Sequence, residues 1–262
     1  MLSLREILDK VSRNELSAAE AEKMLRLSAV DELGCLAKLD GNRELRKGVP
    51  EIILAEGKEP ADVAEICQIM LTHNGRVIVS RCSKEHLDAI RAIPTDGLQV
   101  EIKEKAHMAV LRKKGYVTTA NGGRVGILTA GTSDIPIAEE AKIIAEEMGC
   151  KVTAAYDVGV AGIHRLLEPI KEIITNDVDV VIVVAGREGA LASVVAGLID
   201  VPVIAVPTSN SYGFGEKGVS TLMAMLQSCS LGLAVVNIDG GVAAGAVATL
   251  IANRAAKFRN TV

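Results

Sequence analysis

The feature that most constrains the fold is an alternation, in the second half of the chain, of short apolar runs with longer helical patterns. Five runs rich in Val, Ile and Ala are each followed by a helical pattern; they lie at residues 125–129, 152–156, 178–184, 203–206 and 234–238. Strands that alternate with helices indicate parallel βαβ units with right-handed crossovers. The sequence therefore predicts an α/β fold with a doubly wound parallel sheet over residues 123–262.

The first part of the chain has a different pattern. Helices are predicted within residues 1–30, where Ser17 and Glu20 have the spacing of a capping box, and at residues 60–71 and 83–93. Short strands are predicted at 50–55, 76–79 and 98–102, and the charged residues 37–48 are interpreted as a solvated helix or loop. These elements predict a smaller N-terminal α+β domain over residues 1–115.

Composition narrows the function. The net charge is −4, no long basic run occurs, and the chain has no tryptophan, two phenylalanines and three tyrosines, which argues against nucleic acid as a partner. The five cysteines (Cys35, Cys67, Cys82, Cys150 and Cys229) form no C-x-x-C pair, so we expect a reducing, cytoplasmic location. No run approaches the length of a membrane span and the N-terminus shows no apolar signal core, so no membrane association is expected.

Ligands of doubly wound sheets bind at the carboxyl ends of the strands, so the residues that follow each strand are the candidates. After the first strand come Gly131, Thr132, Ser133 and Asp134, directly before the predicted helix 135–148. Small hydroxyl residues at a helix start favour phosphate or ribose, because backbone N–H groups and the helix dipole attract anions. The alternative is simple N-capping.

Two further strand ends carry charged residues. His164 and Arg165 fall at the start of the predicted helix 163–175, where they could transfer protons and bind phosphate, or form a surface pair. Gly186, Arg187 and Glu188 follow a run of apolar residues, and Glu188 is a candidate base or metal ligand. A loop ion pair is the alternative for Arg187 and Glu188.

The last two candidates are a loop and a thiol. Residues 207–215 form a long small-polar loop containing Ser209, Asn210 and Ser211, typical of a binding loop or lid. Cys229 lies between two serines, before the strand at 234–238, which favours an accessible nucleophile; a buried thiol is the alternative.

Together these motifs resemble the LarB family, and residues 123–257 resemble the PurE family of aminoimidazole ribonucleotide carboxylases and mutases. The PurE resemblance is carried by Thr132-Ser133-Asp134, His164-Arg165, Ala185-Gly186, residues 201–207, Leu222 with Leu226, and residues 234–238. The LarB resemblance adds Leu39-Asp40, Arg43, Arg46, residues 48–51, residues 185–190, residues 207–213 and Ser228-Cys229-Ser230.

The LarB resemblance implies a PurE/flavodoxin-like fold and the first reaction of nickel-pincer nucleotide cofactor synthesis. That reaction carboxylates the pyridinium ring of nicotinic acid adenine dinucleotide with carbon dioxide or bicarbonate, and cleaves its phosphoanhydride to release AMP. It implies that Cys229 adds to the ring as a thiolate and that Glu188 or His164 removes the ring proton. Glu188, His164 and Cys229 are thus expected to cluster.

The resemblance also implies the binding roles and the partners. Ser133, Asp134 and Arg165 would hold phosphate and ribose, and Arg187 would orient a carboxylate. Mg²⁺ is expected for phosphoanhydride cleavage, with no organic prosthetic group; the metal ligands are not identified, and Asp157 and Asp239 are possible ligands in addition to Glu188. The PurE family implies a homo-oligomer, an octamer.

The chain departs from PurE in ways that bear on the reaction. PurE carries His-Leu-Pro-Gly-Met after its Ala-Gly turn, where this chain has Ala-Leu-Ala-Ser-Val at residues 190–194, and PurE has no counterpart of Cys229. Gly131 stands where PurE has the first serine of its phosphate loop. Two alternatives remain open: a PurE-type carboxylase or mutase, and a non-catalytic nucleotide-binding regulator.

Overall fold

A computed structural model of the chain describes residues 4–28, 32–33, 39–40, 43–211 and 213–259. Cys35 and Tyr212, which belong to the cysteine set and the predicted binding loop, lie outside the described residues. The chain divides into two compact units, Met1–Ile102 with Ala109–Tyr116, and Lys103–Met108 with Val117–Val262. Within the described ranges, no helix combines the length and apolar character needed to cross a membrane.

The first unit is built around a mixed sheet. Its helices are α1 (Leu4–Ser12), α2 (Ala18–Ser28), α3 (Arg43–Lys47), α4 (Pro60–Asn74) and α5 (Lys84–Arg91). Its strands are β1 (Glu32–Leu33), β2 (Leu39–Asp40), β3 (Ile52–Leu54), β4 (Arg76–Ser80), β5 (Leu98–Lys103) and β6 (Met108–Lys113). The short strands β1 and β2 pair with each other, while the larger sheet has the order β3-β4-β6-β5, with β3 parallel and β6 antiparallel to β4.

Strand β6 was not predicted: the sequence analysis placed the end of the domain near this segment. The run Met108-Ala109-Val110-Leu111 is fully buried, so its apolar character on both faces hid the alternation that identifies a strand. The predicted capping box at the start of α2 is confirmed, because the Ser17 N–H donates to Glu20 Oε2 (3.0 Å) and the Glu20 N–H donates to Ser17 Oγ (3.3 Å).

The second unit has the predicted fold, a five-stranded parallel sheet with helices. Its strands are β7 (Arg124–Thr129), β8 (Lys151–Ala155), β9 (Val180–Ala185), β10 (Val203–Pro207) and β11 (Leu233–Val235). Its helices are α6 (Ile135–Glu147), α7 (Leu167–Thr175), α8 (Ala190–Ala196), α9 (Val219–Leu226) and α10 (Gly241–Arg259). The order β8-β7-β9-β10-β11 is that of flavodoxin-like sheets, so the predicted fold class is confirmed.

The two faces of this sheet are covered by different helices. Val181 and Val183 of β9 pack in a cluster with residues of α7, α8 and α9, whereas Val180 and Ile182 pack with α6 and α10. This alternation along a strand buried on both faces explains its continuous apolar sequence. Helices α6 and α10 approach closely, since a Cβ atom at Gly241 would lie 2.3 Å from the Ile137 carbonyl oxygen.

The predicted helix 163–175 begins later than expected. Residues Val160–Leu166 form a 3₁₀ segment with an irregular backbone at Gly162 (φ −134°, ψ 58°), and α7 begins only at Leu167. His164 and Arg165 therefore lie in the 3₁₀ segment and not at the start of an α-helix. The non-helical backbone of Gly162 lies directly before the predicted start of this helix at Ile163.

Candidate active site at the carboxyl edge of the parallel sheet

A cavity of about 490 Å³ lies at the carboxyl ends of β7 and β9. The chain passes from β7 to β8 on one side of the sheet and then to β9 on the other, so the loops after β7 and β9 diverge. Such a switch point is where doubly wound sheets bind ligands, and the volume is typical of a small-molecule site. The lining residues are Ala130, Gly131, Ser133, Asp134, Gly159, Val160, Ala161, Ala185, Gly186, Arg187, Glu188, Ala190, Leu191 and Asn210.

Asp134 joins three of the loops that surround this cavity. Its carboxylate accepts from the Thr208 hydroxyl (2.8 Å) and from the Gly131 N–H (3.0 Å), and Asn210 and the Gly186 backbone also bond to it. Burial raises the pKa of this carboxyl, while the hydrogen bond from Thr208 acts in the opposite direction. Asp134 is only 3% exposed, so its main structural role is to hold the loops after β7, β9 and β10 together.

The junction after β7 is a 3₁₀ turn over Thr132–Asp134, followed by α6. The Gly131 N–H is bound by Asp134, so it is not free to receive an anion as the sequence analysis expected. Ser133 and Gly131 nevertheless line the cavity, whereas Thr132 does not. A Cβ atom at Gly159 would lie 2.5 Å from the Ala130 carbonyl oxygen, so this wall requires glycine.

The turn after β9 brings two charged side chains to the cavity. Arg187 and Glu188 both line it, as the sequence analysis expected of residues between two glycines. Arg187 has a left-handed backbone (φ +54°), and so does Gly189 (φ +68°). A non-glycine residue in this conformation is uncommon and typically belongs to a functional or strongly supported turn.

The structure does not bring the three predicted catalytic residues together within one chain. Glu188 lines the cavity, but His164 is exposed in the 3₁₀ segment and is absent from the lining. Arg165 is absent from it too, because its guanidinium is paired with Asp157 at 2.6 Å.

Cys229 lies outside the cavity lining. It follows α9 between Ser228 and Ser230, whose hydroxyls contact Ser193 of α8: the two Oγ atoms of Ser193 and Ser228 are 2.8 Å apart, and Ser230 Oγ donates to the Ser193 carbonyl at the same distance. The reason is topological, because a residue before β11 reaches the amino edge of the sheet, opposite the cavity.

Cys229 nevertheless differs from the other described cysteines. It is exposed, whereas Cys67, Cys82 and Cys150 are buried. Burial raises the pKa of the Cys67 and Cys82 thiols to about 12 and that of Cys150 to about 11. The prediction that Cys67 and Cys150 are small buried side chains is confirmed, and Cys229 has the accessibility that a nucleophile needs.

The described residues contain no group of three or more His, Cys, Asp or Glu side chains that could hold a metal ion. Two of the candidate ligands are engaged elsewhere: Asp157 pairs with Arg165, and Asp239 Oδ1 accepts from the Ser209 N–H at 2.9 Å. Asp239 thus holds the binding loop.

The loop after β10 is fixed by contacts that sequence reasoning missed. Asn210 lines the cavity and donates to the Ser133 carbonyl (2.7 Å), but Ser209 and Ser211 are not in the lining. Two contacts were not predicted. Thr208 donates to Asp134, and the hydroxyl oxygen of Thr221 in α9 lies 3.0 Å from that of Ser211. A threonine on the apolar face of a predicted helix was the only signal for Thr221.

Two family models match the chain. Residues 30–113 match the one described as LarB/PurE-like N-terminal domain, and residues 124–261 match the one described as AIR carboxylase. The chain is also 44% identical over 252 residues to an uncharacterized protein of Methanocaldococcus jannaschii, with 95% of this chain and 97% of that protein covered.

The chain is more distantly similar to two mutases that act on a ribonucleotide. The chain is 30% identical over 133 residues to N5-carboxyaminoimidazole ribonucleotide mutase of Thermotoga maritima, covering 49% of this chain and 74% of that enzyme. It is 30% identical over 132 residues to the enzyme of the same name from Pyrococcus horikoshii, covering 48% and 71%. Each match spans about half of this chain.

Proposed function

Because the chain belongs to the LarB family, with a LarB/PurE-like N-terminal domain and an AIR carboxylase domain, we propose that it carboxylates and hydrolyses nicotinic acid adenine dinucleotide. The products are AMP and pyridinium biscarboxylic acid mononucleotide, and the reaction begins nickel-pincer nucleotide synthesis. The family is carboxylase-related, and the mutase relatives extend the same chemistry to an imidazole ring.

The observation that carries the proposal is that Arg187 and Glu188, shortly before Ala190, both line the cavity. PurE sequences resembling this chain carry a His-Leu-Pro-Gly-Met segment after the Ala-Gly turn, whereas residues 190–194 here are Ala-Leu-Ala-Ser-Val. The cavity therefore offers a carboxylate as its proton acceptor, together with a guanidinium suited to a carboxylate of the substrate. This difference favours a pyridinium substrate over the imidazole substrate of the mutases.

The chemistry balances as follows. The Cys229 thiolate forms a C–S bond to a ring carbon, which converts the electron-poor pyridinium into a neutral enamine-like ring. A neighbouring ring carbon then forms a C–C bond to carbon dioxide, and Glu188 removes the proton from that carbon. The electron pair of that C–H bond restores the ring double bond as the thiolate leaves. Water cleaves the phosphoanhydride in a separate step.

Cys229 reaches this chemistry only if the site is shared between copies of the chain. It is exposed and lies outside the cavity of its own chain, and three exposed apolar side chains, Met223, Leu226 and Leu231, lie near it in sequence. We propose a homo-oligomer in which one copy supplies Glu188 and another supplies Cys229. Exposed apolar side chains around a reactive residue are what a subunit interface would cover.

Mg²⁺ enters the proposal together with the substrate. Magnesium sites for phosphate substrates commonly use one or two carboxylates and the phosphates themselves, which suits a cavity whose carboxylates are Glu188 and the hydrogen-bonded Asp134. Glu188 would contact such an ion. When bound, the Mg²⁺ would neutralise charge on the phosphates during anhydride cleavage.

Two inactive variants test both the chemistry and the sharing. We expect Glu188→Gln and Cys229→Ala each to lower carboxylation of the dinucleotide by about 10²-fold or more, because each removes a reacting group. After co-expression of equal amounts of the two variants, sites shared between copies would include, on the order of, one quarter with both native residues. Activity is measured by the mass of the product formed with bicarbonate and Mg²⁺.

The controls separate the parts of this proposal. The double variant Glu188→Gln with Cys229→Ala, expressed alone, must stay inactive. Co-expressed single variants without recovered activity would contradict the shared site, and undiminished product from Cys229→Ala would contradict the thiolate step. Turnover of an aminoimidazole ribonucleotide in place of the dinucleotide would show a PurE-type enzyme, and tight dinucleotide binding without turnover would show a regulator.

A further inference from the structure

The turn that carries Arg187 and Glu188 needs support from outside itself. Arg187 adopts a left-handed backbone, which side chains other than glycine disfavour, and Gly189 does the same two residues later. Within the turn, one backbone bond closes it, from the Gly189 N–H to the Gly186 carbonyl (3.0 Å). A conformation of this kind persists only where neighbouring groups fix it.

Thr221 supplies that support from α9. Its side-chain hydroxyl donates to the Arg187 carbonyl, 34 residues earlier in the chain. Its methyl group fills the space beside the turn, since a Cβ atom at Gly189 would lie 3.1 Å from Thr221 Cγ2 and 3.0 Å from Met225. Thr221 is completely buried, so no water competes for its hydroxyl.

The single proton of each hydroxyl determines which group donates in the contact between Ser211 and Thr221. A hydroxyl has one proton to donate but can also accept, and Thr221 spends its proton on the Arg187 carbonyl. The 3.0 Å contact between the Ser211 and Thr221 hydroxyl oxygens therefore has Ser211 as its donor. Ser211 Oγ also lies 3.4 Å from the Thr208 carbonyl oxygen, to which it cannot donate at the same time.

We propose that Thr221 and Ser211 form a hydroxyl relay that positions the Arg187–Glu188 turn for the reaction. The relay runs from the loop after β10, through α9, to the carbonyl of Arg187. Thr221 is not among the residues that line the cavity and acts through the turn, so it is a positioning residue. This inference rests on the proposed function only for its kinetic consequence; the geometry stands independently of it.

The relay also connects two parts of the site. Asn210, adjacent to Ser211, lines the cavity and bonds to the Ser133 carbonyl. A nucleotide that orders the loop after β10 would therefore also fix the hydroxyl of Ser211 toward Thr221. Binding on one side of the cavity would in this way order Glu188 on the other side.

The test compares Thr221→Val, Thr221→Ser and a matched control, Thr249→Val. Valine keeps the shape of threonine but removes the hydroxyl, and serine keeps the hydroxyl. We expect Thr221→Val to lower kcat for the dinucleotide by about 10²-fold with KM changed by less than about threefold, because a misplaced base slows chemistry more than binding. Thr221→Ser should retain kcat within about threefold.

Thr249 is a suitable control because it is also a fully buried threonine, on α10, and its hydroxyl makes no hydrogen bond of normal geometry within the described residues. Thr249→Val should leave both kcat and KM unchanged. If Thr221→Val fails to fold, Ser211→Ala takes its place, since it removes only the outer hydroxyl and should still lower kcat. Full kcat in whichever of these two variants folds would overturn the relay.

A second readout separates failure of the relay from failure of the proposed function. In substrate-free protein, hydrogen–deuterium exchange of peptides covering residues 186–191 should be faster in Thr221→Val than in wild type, and unchanged in Thr221→Ser and Thr249→Val. Equal exchange in wild type and Thr221→Val would overturn the relay. A wild-type protein that does not convert the dinucleotide but shows the expected exchange pattern would overturn the proposed function alone.

Discussion

The two larger sheets of the molecule both contain parallel strands, yet their carboxyl edges are completed differently. In the first unit, His86 bonds on both sides of the edge: the Ser83 N–H donates to His86 Nδ1 (3.0 Å), and Nε2 contacts the carbonyl of Lys58 in the loop after β3, 28 residues earlier (2.9 Å). Since Nδ1 accepts, Nε2 carries the proton and is the donor. One side chain thus bonds both to the start of α5 and to the neighbouring loop after β3.

In the second unit, the corresponding bonds join loops that are distant in sequence. Thr208 donates to Asp134 and Asn210 donates to the Ser133 carbonyl, over separations of 74 and 77 residues. Both edges are held by bonds between loops, but those of the second unit join residues 74 and 77 positions apart, against 28 in the first unit, and the loops they join line the cavity.

The largest expected contrast is in thiol reactivity, between Cys229 in the second unit and the buried thiols of both units. In a Cys35→Ser variant at pH 8, we expect Cys229 to react with iodoacetamide about 10³-fold or more faster than Cys67, Cys82 or Cys150. Burial raises the pKa of those three thiols to about 12, 12 and 11, so almost none of their thiolate is present at pH 8. Mass spectrometry of the labelled peptides measures the rates.

Denatured protein is the control, in which all four thiols should react at similar rates. Rapid native labelling of Cys67 or Cys82 would show that the first unit opens more readily than its packing indicates, and would remove the contrast.

A smaller effect is expected at the carboxyl edge of the first unit's sheet. Ser83→Ala removes the N-cap of α5, where Ser83 Oγ accepts from the His86 N–H at 3.3 Å. We expect a loss of about 1 kcal/mol in the free energy of unfolding, with kcat for the proposed reaction unchanged. Urea unfolding measures the loss. The counterpart is Ser133→Ala at the carboxyl edge of the second unit's sheet, which is expected to weaken substrate binding with little loss of stability. A fall in kcat with Ser83→Ala would mean that the first unit's edge also serves the reaction.

The smallest expected effect is a pH dependence from Asp134. Because burial raises its pKa, the folded chain binds this proton more tightly than the unfolded chain. Its stabilising contribution is therefore complete below the ordinary aspartate pKa of about 4 and is lost as pH rises through the raised value. Asp134→Asn should lack this fall, which urea unfolding at several pH values measures; parallel profiles for wild type and variant would contradict it.

Sequence patterns predicted the strands of the second unit well, because β9 and its neighbours are continuous β-branched runs bounded by glycine and polar residues. They predicted the cavity position too, since Ser133, Glu188 and Asn210 follow strand ends. They failed where long-range geometry decides: residues 163–166, predicted as the first turn of a helix, belong to a 3₁₀ segment, and the partner of Thr221 lies 34 residues away. The separation of Cys229 from Glu188 follows from the strand order, which no local pattern encodes.

The strand order bears on how a protein with this fold can change its reaction. Four loops from four strands form the cavity, while its foundation is a sheet packed on both faces by aliphatic side chains. A mutation in one loop can therefore alter a reaction without endangering the scaffold on which the other three depend. Residues 190–194, where PurE sequences carry His-Leu-Pro-Gly-Met, begin the helix that follows one of these loops, and their sequence can differ while the sheet below stays the same.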